Sequence, residues 1–235
     1  MDHAVPGVSF ERRTLLGLPL ALPFVGLPRS RASAESPFTA FTTACRSLAL
    51  ELLEQKALSA DEYLLRLASL GARLRATDLP AGKLGRFAGF DPPIELGPIH
   101  MELPINVIQW RFAPGAVLPP HNHSPAHVLS LCIEGECRVR HFDPIEPPPL
   151  DSRELFRLRE TENRILRAGR STSLTPERDN VHTFEAGPEG ALGFDLNTFL
   201  PGDSDWSMLE IDESSARSAK GYERIFEARW IGKPA

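Results

Sequence analysis

Residues 115–135 read GAVLPPHNHSPAHVLSLCIEG, and the rest of the chain is understood outward from them. Three histidines, His121, His123 and His127, fall within seven residues, bounded by the turn glycines Gly115 and Gly135. Residues two apart on a strand point to the same face, so His121 and His123 aim two imidazoles at one point. A metal ion needs that convergence; an apolar core does not. A third ligand has to come from elsewhere, and His182 in DNVHTF (179–184) is the best candidate. A His-x-His pair is common by chance, and a single buried histidine is more often a hydrogen-bonded core residue than a ligand. The longer pattern is more specific: Gly-x5-His-x-His, then His-x7-Gly, then an isolated histidine opening an apolar run. It predicts a metal site at His121, His123 and His182.

The bulk composition permits such a site inside an ordinary domain. With 42% hydrophobic and 24% charged residues over 235 positions, the chain can bury a sizeable core. A net charge of −5 with no basic block argues against nucleic acid or an anionic membrane as partner. The 22 prolines, several in clusters such as Pro119-Pro120 and Pro147–Pro149, favour loops between short strands over long helices.

Residues 1–34 stand apart. Arg12-Arg13-Thr14-Leu15-Leu16 opens an apolar stretch reaching Leu27, and Ala32-Ser33-Ala34 supplies small residues for cleavage. The stretch is too short, and too broken by Pro19, Pro23 and Pro28, to cross a bilayer as a stable helix. It resembles a twin-arginine export signal, although Glu11 stands where Ser or Thr is usual. That resemblance implies the twin-arginine export machinery as a partner. It also implies a periplasmic or extracellular location, with no stable membrane anchor once the signal is removed. A disordered or membrane-associating N-terminus is the alternative. The mature chain would begin near Glu35 with 22 basic against 29 acidic residues. The route carries folded proteins, which lets a metal be inserted before export.

Two helices and then a β-domain are predicted, as units 35–80 and 81–235. Ser36-Pro37 reads as an N-cap with proline at the first helical position, followed by Phe38, Phe41, Cys45, Leu48 and Leu52 on one face. Ser59 and Glu62 form a capping box ahead of the stripe Leu64, Leu67, Leu70 and Leu74, with Gly71 weakening the end. From Ala81 glycine and proline are frequent. Apolar runs shorten to strand length at 105–112, 127–133, 137–142, 171–174, 181–184 and 191–200. The charged segment 154–170 suits an exposed hairpin or a short helix, and 206–235 suits an edge strand. If Glu134-Gly135 is a two-residue hairpin turn, Cys132 and Cys137 become cross-strand neighbours. They would then be either a disulfide or two reduced, buried thiols. Cys45 and His141 read as core, and His100 carries no signal.

The Gly115-x5-His121-x-His123 pattern closing at Gly135, and a second segment from Gly169 to His182 through Pro176, resemble the two motifs of the cupins. This resemblance implies a mainly β fold, a double-sheet jelly-roll barrel, here with an N-terminal helical hairpin. A typical cupin has a glutamate ligand seven residues before the closing glycine; here that position is Val128. The three remaining histidines resemble the site of the thiol dioxygenases, the cupin branch that holds iron(II) with three histidines. His127 has a counterpart there beside the metal rather than on it. Gly193-Phe194-Asp195-Leu196 resembles the strand that carries an aspartate near the metal in plant cysteine oxidases and cysteamine dioxygenase. Free-cysteine dioxygenase would have a tyrosine near Phe199 and a cysteine at Val128, and both are missing.

What the resemblance implies is an oxidoreductase that converts a small thiol (cysteamine, cysteine or an N-terminal cysteine) and O2 to a sulfinic acid. The cofactor would be Fe(II), with Mn, Ni or Zn as alternatives at the same ligands. Three neutral imidazoles would leave three positions open and keep the charge that attracts a thiolate. Asp195 would orient the substrate amine or a water, or else simply bond a turn. Asp179 and Asn180 either fix the His182 tautomer or serve a turn. An exported cupin of other chemistry (isomerase, lyase or carbon dioxygenase) and a non-catalytic binding protein are the competing expectations.

Overall fold

The computed structural model describes residues 35–55, 58–123, 125–148, 154–202, 206–218 and 224–232. The expected export signal at 1–34 lies outside the described residues. Helix α1 (Pro37–Leu50) begins where expected: the Ser36 side chain accepts the Thr39 N–H, and proline follows the cap. A π-helical turn (Glu51–Gln55) ends it. Helix α2 (Ala60–Gly71) is capped by Ser59, which accepts the Glu62 N–H. Phe38, Phe41 and Cys45 of α1 pack with Tyr63, Leu64 and Leu67 of α2 against sheet residues Val107, Leu129, Leu131, Phe194 and Leu196. Gly71 lets α2 sit close: a Cβ there would stand 3.2 Å from Leu131 Cδ2. No helix among the described residues is long and apolar enough to cross a membrane.

Among the described residues ten antiparallel strands follow: β1 (Gly85–Arg86), β2 (Ile94–Glu102), β3 (Ile105–Phe112), β4 (Val117–Asn122), β5 (Ala126–Pro144), β6 (Phe156–Arg167), β7 (Ser171–Leu174), β8 (Val181–Phe199), β9 (Met208–Ser218) and β10 (Arg224–Gly232). Their order is β1-β2-β3-β8-β4-β9-β10-β6-β5-β7, and β8 also pairs with β5, which closes the barrel. The mainly β fold with a cupin-type barrel and an N-terminal helical pair is therefore as expected.

Two long strands form the frame of the barrel, and here the sequence-based expectation needs correction. The runs 127–133 and 137–142 are one strand, β5, and 181–184 and 191–200 are one strand, β8. Glu134-Gly135 is a bulge inside β5, not a hairpin turn. Gly135 has φ +71° there, and a Cβ would stand 2.1 Å from the Gly190 carbonyl oxygen. The register of β5 against β8 shifts on both sides of it, from Cys132↔Gly193 to Cys137↔Ala186. Because side chains alternate with period two, a single extra residue exchanges the faces. Ser130 and Cys132 before the bulge, and Cys137, Val139 and His141 after it, thereby all face the barrel interior.

Three further segments differ from expectation. Residues 154–170 contain strand β6, which pairs along β5, so alternating charge marked an exposed strand face. The C-terminal stretch supplies two strands, β9 and β10, which join β4 to β6 within the sheet rather than at its edge. Strand β2 is not among the predicted runs, since Gly97 and Pro98 interrupt it. Cys45, Cys132 and Cys137 are free, buried thiols. Of the two states left open for Cys132 and Cys137, the structure shows the reduced one.

Candidate metal centre

β4 carries the first ligand candidate. Its Pro119-Pro120 pair offers no backbone N–H to the ladder, and the β4–β8 register shifts between Leu118 and His121. Beyond the shift His121 is the direct partner of His182 on β8. The carbonyl freed at Pro119 accepts from His121 Nδ1 at 2.8 Å, which fixes the tautomer and leaves Nε2 bare. His123 lies just past the end of β4. Its backbone N–H donates to Asn180 Oδ1 at 3.3 Å, and the Asn180 Nδ2 donates to the Thr175 carbonyl. Asn180 thus ties the two histidine-bearing segments together without touching the His182 ring. Asp179 is a turn residue, with φ +59°.

The three rings converge. Their ligand atoms all lie within 4.8 Å of one another, with His121 Nε2 2.9 Å and His123 Nε2 3.1 Å from His182 Nε2. Two nitrogens on an ion at about 2.1 Å and a right angle stand roughly 3.0 Å apart. The donor set and its spacing therefore fit a cation with three imidazoles on one face. Burial pushes the His121 pKa down to about 4, against a smaller upward pull from the Pro119 hydrogen bond. Burial, and then the neighbouring rings, hold His123 and His182 well below the usual histidine range. All three are neutral at pH 7, as ligands must be. His182 and His121 are almost fully buried. Phe184 stands edge-on to His182 at 4.8 Å between ring centroids, and Trp206 stands edge-on to His121 at 5.5 Å.

Asp195 faces the interior from the other half of β8. Trp110 Nε1 donates to its Oδ1 at 3.1 Å, and the Ser130 hydroxyl bonds it as well. Burial outweighs both and pushes its pKa up to about 6. Trp110 also packs on Phe184 at 5.8 Å, so Asp195 connects to His182 through Trp110 and Phe184. Asp195 therefore bonds an indole and a hydroxyl rather than a turn. His127 is not brought to the cluster. It faces the helices, with its ring 6.4 Å from Tyr63, whose hydroxyl is 2.5 Å from Thr198 Oγ1. His141 is the β5 partner of His182, with ring centroids 6.0 Å apart. Its Nε2 instead meets Thr172 Oγ1 at 3.1 Å and Glu162 Oε2 at 3.6 Å, so it is a core residue, as expected.

Sequence reasoning missed Trp110, Ser130, Asn197 and Trp206. Asn197 was within reach, since it lies two residues beyond Asp195 on the same strand face. Trp206 had no local signal, because the strands around it bring it to His121.

A closed antiparallel barrel that gathers three histidines inside is a metal-binding cupin. The chain belongs to the PCO_ADO family, the cysteine and cysteamine dioxygenases of cupin fold, whose family model matches residues 72–198. Among solved structures it is similar to coconut allergen cocosin, at 20% identity and TM-score 0.34, over 44% of this chain and 23% of that one. It is also similar to an oxalate oxidase, at 26% identity and TM-score 0.31, over 41% and 42% of the two chains. KdgF from Halomonas sp. aligns at 19% identity and TM-score 0.34, over 47% and 84%. The chain spans about a quarter of the length of the coconut protein. Comparison with curated proteins gives no match.

Proposed function

We propose that this protein is a non-haem iron(II) thiol dioxygenase that oxidises a small aminothiol or an N-terminal cysteine to its sulfinic acid, RSH + O2 → RSO2H. The single observation that carries it is the convergence of His121, His123 and His182 in a chain of the PCO_ADO family. These three residues would hold the iron. When bound, iron(II) would bring thiolate sulfur and O2 together and exchange electrons with both.

The chain supplies the rest. Neutral imidazoles leave the cation's charge uncompensated, which favours an anionic thiolate. Asp195 is held by Trp110 and Ser130, and its carboxylate can orient a substrate ammonium by a charge-assisted hydrogen bond. Phe184 and Trp206 flank the histidines and exclude water from the reacting sulfur. The Arg12-Arg13 motif and the small residues at 32–34 support export of the folded protein, so we propose that it acts outside the cytoplasm.

The test is oxygen uptake by iron-loaded protein with cysteamine, cysteine and a peptide beginning with cysteine, with the product weighed by mass spectrometry. A gain of two oxygen atoms on one of these thiols is expected. No oxygen consumption with any of the three would overturn the proposal.

A further inference from the structure

Strand β8 carries a second polar residue on the face that holds Asp195. Asn197 is 6% exposed, and its Nδ2 donates to Asn106 Oδ1 at 2.8 Å. The two residues are partners across β3 and β8, so the carboxamides meet inside the barrel. An Asn side chain has one donating end and one accepting end. Asn106 takes the donating end of Asn197. The accepting end, Asn197 Oδ1, is left buried with no hydrogen-bond partner.

That carboxamide lies beside the His123 ring. His123 Nε2 already faces His182 at 3.1 Å, which leaves Nδ1 to be held. His121 shows the arrangement completed, with Nδ1 on the Pro119 carbonyl and Nε2 bare. His123 has more need of such a partner. It sits beyond the last residue of β4, so no strand ladder restrains its ring as the β4 and β8 ladders restrain those of His121 and His182.

We propose that Asn106 and Asn197 form a positioning relay for His123: Asn106 fixes the Asn197 carboxamide so that its oxygen accepts the His123 Nδ1–H, which leaves Nε2 bare toward the metal. The relay rests on the three rings being a metal ligand set. Outer hydrogen-bond partners of this kind typically change metal affinity by about 10–100-fold.

Two readouts test it on the full chain. The first is the His123 ring tautomer in metal-free protein, by long-range 15N–1H correlation. The second is affinity for iron(II) and cobalt(II) by chelator competition, with the cobalt(II) ligand-field spectrum. Wild type should show the Nδ1–H tautomer. Asn197→Leu, similar in size with no acceptor, should populate both tautomers, bind both metals roughly 10–100-fold more weakly and shift the cobalt spectrum. Asn197→Asp keeps an acceptor and should restore the tautomer and most of the affinity. Should Asn197→Leu not fold, Asn106→Ala should produce the same tautomer mixing more weakly. An Nε2–H tautomer in wild type would overturn the relay, as would unchanged tautomer and affinity in a folded Asn197→Leu. Loss of thiol oxidation alone, with tautomer and affinity as expected, would sink the proposed reaction and leave the relay standing.

Discussion

His121 and His182 are direct partners on β4 and β8, and their Nε2 atoms stand 2.9 Å apart. Two bare nitrogens at that distance repel each other unless a proton or a cation lies between them. In the metal-free protein a neutral His182 can fill that gap with an Nε2–H, and burial keeps the rings from taking up a second proton, so a cation that binds there displaces one proton from a neutral ring. His182→Ala removes the nitrogen common to both short distances. It should abolish iron loading, read by elemental analysis, while leaving the circular dichroism of the barrel unchanged. Loading at wild-type stoichiometry in that variant would remove His182 from the ligand set.

His127 is the contrasting case. It packs against Tyr63 on the helix-covered face of β5, away from the three rings. His127→Ala should leave metal stoichiometry intact and lower stability by about 1–3 kcal/mol through lost packing, measured by urea unfolding. Loss of the metal with stability unchanged would mean a four-histidine site.

The metal-free protein should weaken in mild acid, and His121 fixes the sign. Its pKa is about 4 when folded and near 6.5 unfolded, so below pH 6.5 the unfolded chain takes up a proton that the folded chain refuses. Stability is present above 6.5 and is lost as pH falls toward 4. At pH 5 the loss from this residue is about 2 kcal/mol. His121→Gln should flatten the pH 7 to pH 5 fall in urea midpoint by about that amount.

Asp195 has the opposite sign. Its folded pKa of about 6 lies above the ordinary value of 3.8, so the stability it contributes is present below 3.8 and is lost as pH rises through 6. Between pH 4 and pH 7, Asp195→Asn should gain roughly 2 kcal/mol relative to wild type, read by denaturant unfolding of metal-free protein. If Asp195 orients substrate, thiol oxidation should fall in the same variant, the pattern of a residue kept for function against stability. Equal pH profiles for the two proteins would show that the carboxyl is not strained by burial.

Gly135→Ala tests the bulge. The substitution puts a Cβ against the Gly190 carbonyl oxygen at a backbone angle of φ +71°. It should cost roughly 3 kcal/mol or more. Because the bulge sets which residues of β5 face inward, the variant should also disturb iron loading. A midpoint within experimental error of wild type would show that β5 tolerates another path.

The sequence alone determined what depends on local chemistry. The Ser36-Pro37 and Ser59 caps fix both helix starts, because a side-chain oxygen at those positions satisfies an otherwise unpaired N–H. The His-x-His pair and the isolated His182 name the three candidate ligands that the structure brings together, although His123 lies one residue past the end of β4. Tertiary structure decided what depends on partners distant in sequence. Gly135 looked like a turn, and only the approach of Gly190 makes it a bulge in a continuous strand. His127 and His141 resemble the ligands in sequence. His127 is removed by its place on the helix-covered face of β5, and His141 by Thr172 and Glu162, which β7 and β6 bring against it. Which nitrogen of His121 meets the other rings is decided by the Pro119 carbonyl on β4, and the His121–His182 approach exists only because β4 pairs with β8 once the barrel has closed.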